Sequence, residues 1–221
     1  MTSEHFLSVC IPTMNRHHEL KRTLNTLLSQ SQTSMIQFVV SDNYSNDGTA
    51  NFLNQLASEY PRLTYFRQKS RISFDQNVLA AVNRASGKYI WVLPDDDEII
   101  LGAIEKVLQR LTSLERNVGV FVNFGHSNNL NSSLDIERVV ELRKDSFFIS
   151  SNLDPSLIRS LSYIGSYISP AEDWKHVSEF IGSGFIHAGV ALNSIARLGG
   201  GCNDCGSSSK GKRRFEHLGS R

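Results

Sequence analysis

Residues 88–98 read Lys-Tyr-Ile-Trp-Val-Leu-Pro-Asp-Asp-Asp-Glu, so an apolar run stops at Leu93 and opens directly onto three carboxylates. The apolar residues predict a buried strand, and Pro94, which has no N–H to donate, suits the end of that strand. Three adjacent carboxylates repel one another at neutral pH unless a cation compensates them. The stretch therefore predicts a strand followed either by a divalent-metal site or by a solvated acidic loop or helix start.

The position of the carboxylates favours the metal. In an open α/β sheet, ligands bind outside the carboxyl ends of the strands, and Asp95 to Asp97 follow a predicted strand directly. Mg²⁺ and Mn²⁺ prefer oxygen ligands and are commonly shared between one or two protein carboxylates and substrate phosphates. These three residues are therefore candidates for holding a cation beneath a diphosphate.

Strands alternate with helices over the first 124 residues. Apolar runs predict strands, and apolar residues spaced three and four apart predict helices. The predicted strands lie at 7–11, 35–40 and 63–66, in the run ending at Leu93, and at 118–124. The predicted helices lie at 19–30 and 52–60, after a capping box at Ser73 and Gln76, around 104–111, and at 188–198. This alternation predicts βαβ units and a mainly parallel, three-layer α/β fold.

Composition divides the chain into three parts. Residues 1–124 carry the regular alternation, and residues 125–198 lose it and form a smaller segment. Residues 199–221 are rich in Gly and Ser and carry five basic residues against two acidic ones, which is typical of a disordered tail. Cys202, Cys205 and His217 are three candidate zinc ligands, but the sequence has no second pair of ligands to complete a structural zinc site. A solvated tail is therefore the simpler interpretation.

Charge and hydropathy exclude several classes of protein. The 221 residues carry a net charge of +1, so no nucleic-acid-binding footprint dominates the chain. No apolar run reaches the roughly 18 residues that span a bilayer, and the first residues lack the pattern of a signal peptide, which predicts a cytoplasmic protein. Three cysteines do not make a disulfide framework, and Cys10 falls inside a predicted strand as a buried thiol.

Polar loops follow the first, second and fourth predicted strands and should meet at one edge of the sheet. Thr13 and Asn15 offer hydrogen bonds, and Asp42 and Asn43 can accept from ribose or a base edge, although turn-making or helix capping would also explain the last two. Together with the three carboxylates they predict a nucleotide site. The glycine-rich loops of dinucleotide oxidoreductases and P-loop NTPases are absent from the sequence.

Four motifs in order resemble a known family. They are residues 7–16 (Leu-Ser-Val-Cys-Ile-Pro-Thr-Met-Asn-Arg), residues 40–49 (Val-Ser-Asp-Asn-Tyr-Ser-Asn-Asp-Gly-Thr), the run from Asn77 to Ile90, and Asp95 to Asp97. This order resembles the signature of family 2 glycosyltransferases with the GT-A fold. Residues 74–78 and 91–97, with the weaker run 180–187, are similar to bacterial O-antigen sugar transferases, the abequosyltransferase-like group among them.

The resemblance implies a role for each matching residue. Asp42 and Asn43 would hold the base and ribose, and Arg71 would reach the diphosphate. Asp95 and Asp97 would form the Asp-x-Asp motif that binds Mg²⁺ or Mn²⁺, with Asp96 nearer the donor sugar or ribose. The remaining residues implied to line the nucleotide pocket are Pro12, Thr13, Asn15 and Asn77.

The chemistry that the resemblance implies is glycosyl transfer from a nucleotide-diphosphate sugar to an acceptor hydroxyl. The acceptor would be a saccharide, lipid-linked in the O-antigen group, which implies peripheral association with the inner face of the cell membrane. The general base would lie in residues 125–198, as Asp173 of the pair Glu172-Asp173 or as His187, for which a buried core histidine is the alternative. Two other classes stay open, a non-catalytic nucleotide-sugar-binding module and a nucleotidyltransferase. Release of nucleoside diphosphate, pyrophosphate or neither separates them.

The composition of the tail generates a first prediction. Deleting residues 199–221 should leave nucleotide binding unchanged, because this segment has no apolar periodicity with which to pack against the predicted crevice. Thermal shifts with nucleotide sugars, with and without Mn²⁺, compare the shortened and full chains. Loss of the nucleotide-induced shift on deletion would contradict the division of the chain at residue 199.

Overall fold

The structure is a computed structural model that describes residues 5–30, 34–114, 117–122, 125–126, 137–138 and 159–199. The predicted tail, with Cys202, Cys205 and His217, lies outside these residues. Eight strands and five helices are described below with the names used from here on. In the described part of the chain, none of the helices combines the length and the apolar composition that a membrane span needs.

The strands are β1 His5–Thr13, β2 Ile36–Asp42, β3 Leu63–Arg67, β4 Gly87–Val92, β5 Val120–Phe121, β6 Gly125–His126, β7 Glu137–Arg138 and β8 Tyr167–Pro170. The helices are α1 His17–Gln30, α2 Thr49–Glu59, α3 Phe74–Val82, α4 Ala103–Thr112 and α5 Ile186–Gly199. Two 3₁₀ turns, Ala171–His176 and Ser178–Phe180, join β8 to the loop before α5. The predicted alternation of strands and helices is confirmed.

The main sheet has the strand order β3-β2-β1-β4-β8-β5. β1 lies at its centre and pairs in parallel with β2 and with β4, and β2 pairs in parallel with β3. The predicted mainly parallel sheet is therefore confirmed. One strand departs from it, because β8 inserts between β4 and β5 and runs antiparallel to both.

Helices cover both faces of the sheet and give three layers. Alternate residues of β1 point to opposite faces, so Leu7, Val9 and Ile11 join a cluster with apolar residues of α1, α2 and α4. Cys10 joins the cluster on the other face, which holds apolar residues of α3 and α5. Burial raises the pKa of the Cys10 thiol, as the sequence predicts for a thiol inside a central strand. The helix α3 begins at the predicted capping box, with Ser73 accepting from the Gln76 N–H.

The direction of β8 determines at which edge of the sheet the residues before and after it lie. Trp91 pairs with Ile168 and Tyr89 with Pro170, so β8 enters beside the carboxyl end of β4 and leaves toward its amino end. Gly165, just before β8, accepts a hydrogen bond from the Trp91 indole at 2.8 Å. Residues 159–166 therefore lie at the carboxyl edge, and the 3₁₀ turn that follows β8 begins at the opposite edge.

Candidate functional site

The three parallel strands β1, β2 and β4 bring their following loops together at the carboxyl edge. The Thr13 hydroxyl, at the end of β1, donates to Asp95 Oδ2 at 2.6 Å. The Thr23 hydroxyl on α1 donates to the Asp95 carbonyl oxygen at 3.0 Å. Asp95 is thus fixed from two sides, and its carboxylate is the first acidic group beyond the end of β4.

Arg16 neutralises the acidic run in this structure. Its Nε lies 3.2 Å from Asp95 Oδ1, and its Nη2 lies 2.5 Å from Asp96 Oδ2. The pKa of Asp95 is nevertheless raised, chiefly by burial and further by Asp96, against the opposing effects of Thr13 and Arg16. The environment therefore disfavours the charged Asp95 carboxylate, and additional positive charge there would be favourable.

The donor set fits a hard divalent cation shared with a phosphate. Asp97 lies close to Gly165, since a Cβ added at Gly165 would be 3.6 Å from Asp97 Oδ2. Among the described residues, no three His, Cys, Asp or Glu side chains are gathered so as to hold a metal alone. One or two carboxylates with substrate phosphates and water are the usual ligands of Mg²⁺, so Asp95 and Asp97 fit that cation or Mn²⁺.

The loops after β1 and β2 are joined to each other. The Asn15 N–H donates to Ser45 Oγ, and the Asn46 N–H donates to Asn15 Oδ1, both at 2.8 Å. Asn15 has a φ of 55°, a left-handed conformation that asparagine tolerates better than most residues. These bonds give Asn15 a structural role in fixing the two loops that flank the crevice.

Asp42 ends β2 with its carboxylate fully buried. Its Oδ1 accepts from the Ser45 N–H at 2.9 Å, and its Oδ2 lies 3.5 Å from Arg67 Nε without a hydrogen bond in the described part of the chain. Tyr44 has a φ of 62°, which is strained for an aromatic residue, and its half-exposed ring lies 4.6 Å from the Arg67 guanidinium. Arg67 therefore lies beside the predicted base-binding carboxylate, and the Tyr44 ring lies against its guanidinium.

Two residues that are predicted to bind the nucleotide use their side chains to hydrogen-bond backbone groups of the protein. The Asn43 amide donates to the Ile72 carbonyl oxygen and accepts from the Ile72 N–H, each at 2.9 Å, beside the exposed Arg71. Asn77 accepts from the Ser41 hydroxyl at 2.6 Å and donates to the carbonyl oxygens of Ser41 and Thr13. These two residues shape the crevice by fixing its loops. Pro12 lies buried within β1, opposite Ser41.

Asp173 lies away from this edge. It follows β8 by three residues, on the side of the sheet where β4 begins. Its Oδ2 accepts from the Ser194 hydroxyl at 2.6 Å, and its Oδ1 lies 2.6 Å from Arg197 Nη2. Burial raises the pKa of Asp173, with Ser194 and Arg197 acting against it. The antiparallel β8 thus carries Asp173 away from the carboxyl edge, where the other predicted site residues meet.

His187, the other candidate base, is the second residue of α5 and lies at the carboxyl edge. Its Nε2 lies 3.0 Å from the Ser162 carbonyl oxygen, so Nε2 carries the proton and Nδ1 of the neutral ring is an acceptor. Nδ1 is buried without a hydrogen-bond partner among the described residues. The ring lines a small pocket with Val92, Tyr163 and Gly165, at the end of β4. Burial lowers the pKa of His187, against the effects of Ser162 and Asp75.

Sequence reasoning missed several residues that build the site. Arg16 was visible in the first motif, but nothing showed that it would pair with Asp95 and Asp96. The contact between Arg67 and Tyr44 depends on the turn after β2, where Tyr44 has a left-handed backbone conformation. A tyrosine in the sequence does not indicate that conformation. Asp75 lay in a quoted motif, and its partners are more than 100 residues away.

The protein-family model for Glycosyl transferase family 2 matches residues 8–164 of this chain. Abequosyltransferase RfbV of Salmonella typhimurium strain LT2 is 26% identical over 207 residues, which cover 85% of this chain and 60% of that protein. The GalNAc(5)-diNAcBac-PP-undecaprenol beta-1,3-glucosyltransferase of Campylobacter jejuni is 30% identical over 105 residues, which cover 47% of this chain and 34% of that protein. The chain thus spans less than two thirds of either relative.

Solved structures show the same fold. S. aureus TarS 1-349 in complex with UDP has a TM-score of 0.68 at 16% identity, covering 85% of this chain and 55% of that one. Mannosyltransferase PcManGT from Pyrobaculum calidifontis, in complex with GDP-Man and Mn²⁺, has a TM-score of 0.60 at 15% identity, covering 86% and 52%. The predicted GT-A fold is confirmed by these likenesses, and the family match covers more than half of the sequence. The chain belongs to glycosyl transferase family 2.

Proposed function

We propose that this chain transfers a sugar from a nucleotide-diphosphate sugar to an acceptor hydroxyl in the synthesis of a bacterial surface polysaccharide of the O-antigen type. The observation that carries the proposal is the meeting of Thr13, Asp42 and Asp95 to Asp97 at one edge of a parallel sheet. The names of the two relatives support the transfer and the type of product. Because the chain covers 60% and 34% of those relatives, a donor-binding module that needs further residues for transfer is the second candidate.

The donor is proposed to lie across the edge in the order of the strands. The nucleoside lies over the ends of β1 and β2, where Asp42 accepts from the base or ribose after Tyr44 and Arg67 move aside. The diphosphate lies at the end of β4, within reach of Arg16 and of the exposed Arg71. The complexes of structural neighbours with UDP and with GDP-Man support a nucleotide on this fold.

Asp95 and Asp97 would hold Mg²⁺ or Mn²⁺, and Asp96 would lie nearer the donor sugar. When bound, the cation neutralises the charge that develops on the departing diphosphate. Arg16 now supplies the positive charge beside Asp95 and Asp96, so its guanidinium would turn toward the diphosphate as the donor binds. Thr13 keeps Asp95 oriented in both states through its hydrogen bond.

His187 is the proposed general base. The neutral ring presents Nδ1 as a proton acceptor while Nε2–H donates to the Ser162 carbonyl oxygen. It would take the proton of the acceptor hydroxyl as that oxygen bonds to the anomeric carbon and the nucleoside diphosphate leaves. The lowered pKa keeps the ring neutral, and therefore able to accept a proton, at neutral pH.

The acceptor is proposed to be a lipid-linked saccharide reached at the inner face of the membrane. The printed name of the Campylobacter relative includes an undecaprenol-linked saccharide. Exposed apolar side chains surround the loop that precedes His187, as a membrane-facing rim requires. We call them the apolar rim, and they are Phe74, Tyr163, Ile181 and Phe185.

Removal of one carboxylate tests the metal site. Asp97→Asn should abolish the Mn²⁺-dependent part of nucleotide-sugar binding, because a neutral amide is a poor ligand beside a diphosphate. In thermal denaturation of the wild type, ligand at about 100 times Kd stabilises by about 2.7 kcal/mol, and the part of that increment that requires Mn²⁺ should vanish in the variant. Glu98→Gln is the matched control, since Glu98 pairs with Arg22 at 3.3 Å. Equal Mn²⁺-dependent shifts in both variants would exclude Asp97 as a ligand.

Replacement of the candidate base tests the proton transfer. His187→Gln should lower kcat for transfer by about 10²- to 10⁴-fold with little change in donor affinity. In the wild type, the rate should fall as pH drops through the pKa of His187, below its ordinary range, because the protonated ring accepts no proton. That acidic limb should be absent from the variant. Asp173→Asn, at the opposite edge, should keep the limb, and an unchanged profile in His187→Gln would refute the assignment.

The apolar rim generates a prediction about membranes. Ile181→Ser with Phe185→Ser should weaken co-sedimentation with anionic phospholipid vesicles that carry a polyprenyl-diphosphate saccharide, because both side chains are exposed beside the site. Tyr60→Ser, which removes another exposed aromatic side chain where α2 ends at the other edge, should not weaken it. If the wild type leaves such vesicles unbound at low salt, the proposed membrane association is refuted.

A further inference from the structure

The carboxylate of Asp75 holds together two parts of the chain that are far apart in sequence. Asp75 is the second residue of α3 and is only 1% exposed. Its Oδ2 accepts from the Gly182 N–H at 2.8 Å and from the Gly184 N–H at 2.9 Å. Its Oδ1 accepts from the Ile186 N–H, the first of α5, at 3.3 Å. One side chain thus binds the whole loop between residues 181 and 186.

The loop is shaped for this carboxylate. Gly182 and Gly184 have φ values of 96° and 76°, which side-chain-bearing residues rarely adopt, and these conformations turn both N–H groups toward Asp75. Added Cβ atoms at these two positions would meet nothing within 4 Å. The glycines are therefore required by backbone conformation and not by lack of space.

The same turn of α3 also shapes the donor side. Asn77, two residues after Asp75, holds the ends of β1 and β2 through Thr13 and Ser41. His187 follows Ile186 directly, so the bond from Ile186 to Asp75 sets the start of the helix that carries the candidate base. One helical turn therefore links the donor crevice to the loop and base on its other side.

We propose that Asp75 is a positioning residue that fastens the 181–186 loop, and with it His187, beside the donor crevice, so that losing its bonds impairs use of the acceptor but not binding of the nucleotide. This inference rests on the proposed glycosyl transfer. Asp75 itself touches neither donor nor acceptor. Its effect passes through the backbone N–H groups that it holds.

The first measurement needs no substrate. Amide hydrogen exchange in the full chain should show fast exchange at residues 181–187 in Asp75→Ala, with the sheet strands unchanged. Asp75→Asn keeps one carbonyl oxygen and should lie between wild type and alanine. Glu105→Ala, which removes a first-turn carboxylate from α4 on the opposite face, is the control and should change nothing in the loop. Unchanged exchange at 181–187 in Asp75→Ala would overturn the proposal.

The second measurement separates acceptor from donor. Binding of UDP and GDP with Mn²⁺ is measured directly, and transfer is measured as nucleoside diphosphate released from UDP- and GDP-sugars with polyprenyl-diphosphate saccharides. Asp75→Ala should lower kcat/KM for the acceptor by about 10²-fold while nucleotide affinity stays within about twofold. Gly184→Ala strains the loop without touching α3 and should act in the same direction.

The outcomes distinguish this proposal from the proposed function. If Asp75→Ala shows faster exchange in the loop but an unchanged kcat/KM for the acceptor, and the wild type is active, the positioning role is overturned. Equal losses of nucleotide binding and transfer would also overturn it, because they indicate a general structural role. A wild-type chain that releases no nucleoside diphosphate would refute the transferase activity and any effect on acceptor, whereas the exchange result would still support the contact itself.

Discussion

The parallel pairing of β1 with both β2 and β4 is the constraint on which the rest of the structure depends. It puts Thr13 beside Asp42 in register, and it brings the loop after β4 to the same edge, where Thr13 reaches Asp95 at 2.6 Å. Parallel strands require crossovers, and the helices of those crossovers bury both faces of the sheet. The site is thus a consequence of how the core is connected, since the polar groups that meet at this edge lie where β1, β2 and β4 end.

The electrostatics of this edge follow from its crowding. Three consecutive carboxylates follow β4, and the first of them is buried, so the protein keeps Arg16 across Asp95 and Asp96. A similar arrangement exists at β2, where Arg67 lies beside the buried Asp42 and against the Tyr44 ring. Both carboxylates are therefore paired with arginines of the same chain. Under the proposed donor binding, contacts to the donor and its cation would replace these two arginine contacts.

The sequence predicted the parallel core and the position of Asp95 to Asp97, because apolar periodicity and strand ends are local properties. It did not predict β8, a strand of four residues without periodicity, and the direction of β8 is what separates Asp173 from His187. The residue types of Asn43 and Asn77 suggested side chains available to bind a nucleotide. In the structure, their amides hydrogen-bond Ile72 and the ends of β1 and β2. The partners of Asp75 required the tertiary fold, since a carboxylate in a first helical turn is ordinarily explained by the helix dipole.

The proposed function depends on the carboxyl edge around Asp95 and Asp97 binding a cation together with a nucleoside diphosphate. Anomalous scattering from Mn²⁺ in crystals grown with UDP or GDP tests it most directly. We expect a single strong peak beside Asp95 and Asp97, in contact with the diphosphate, with the nucleoside over the ends of β1 and β2. Nucleotide bound elsewhere, or a Mn²⁺ peak at Glu172 and Asp173 on the opposite edge, would contradict it.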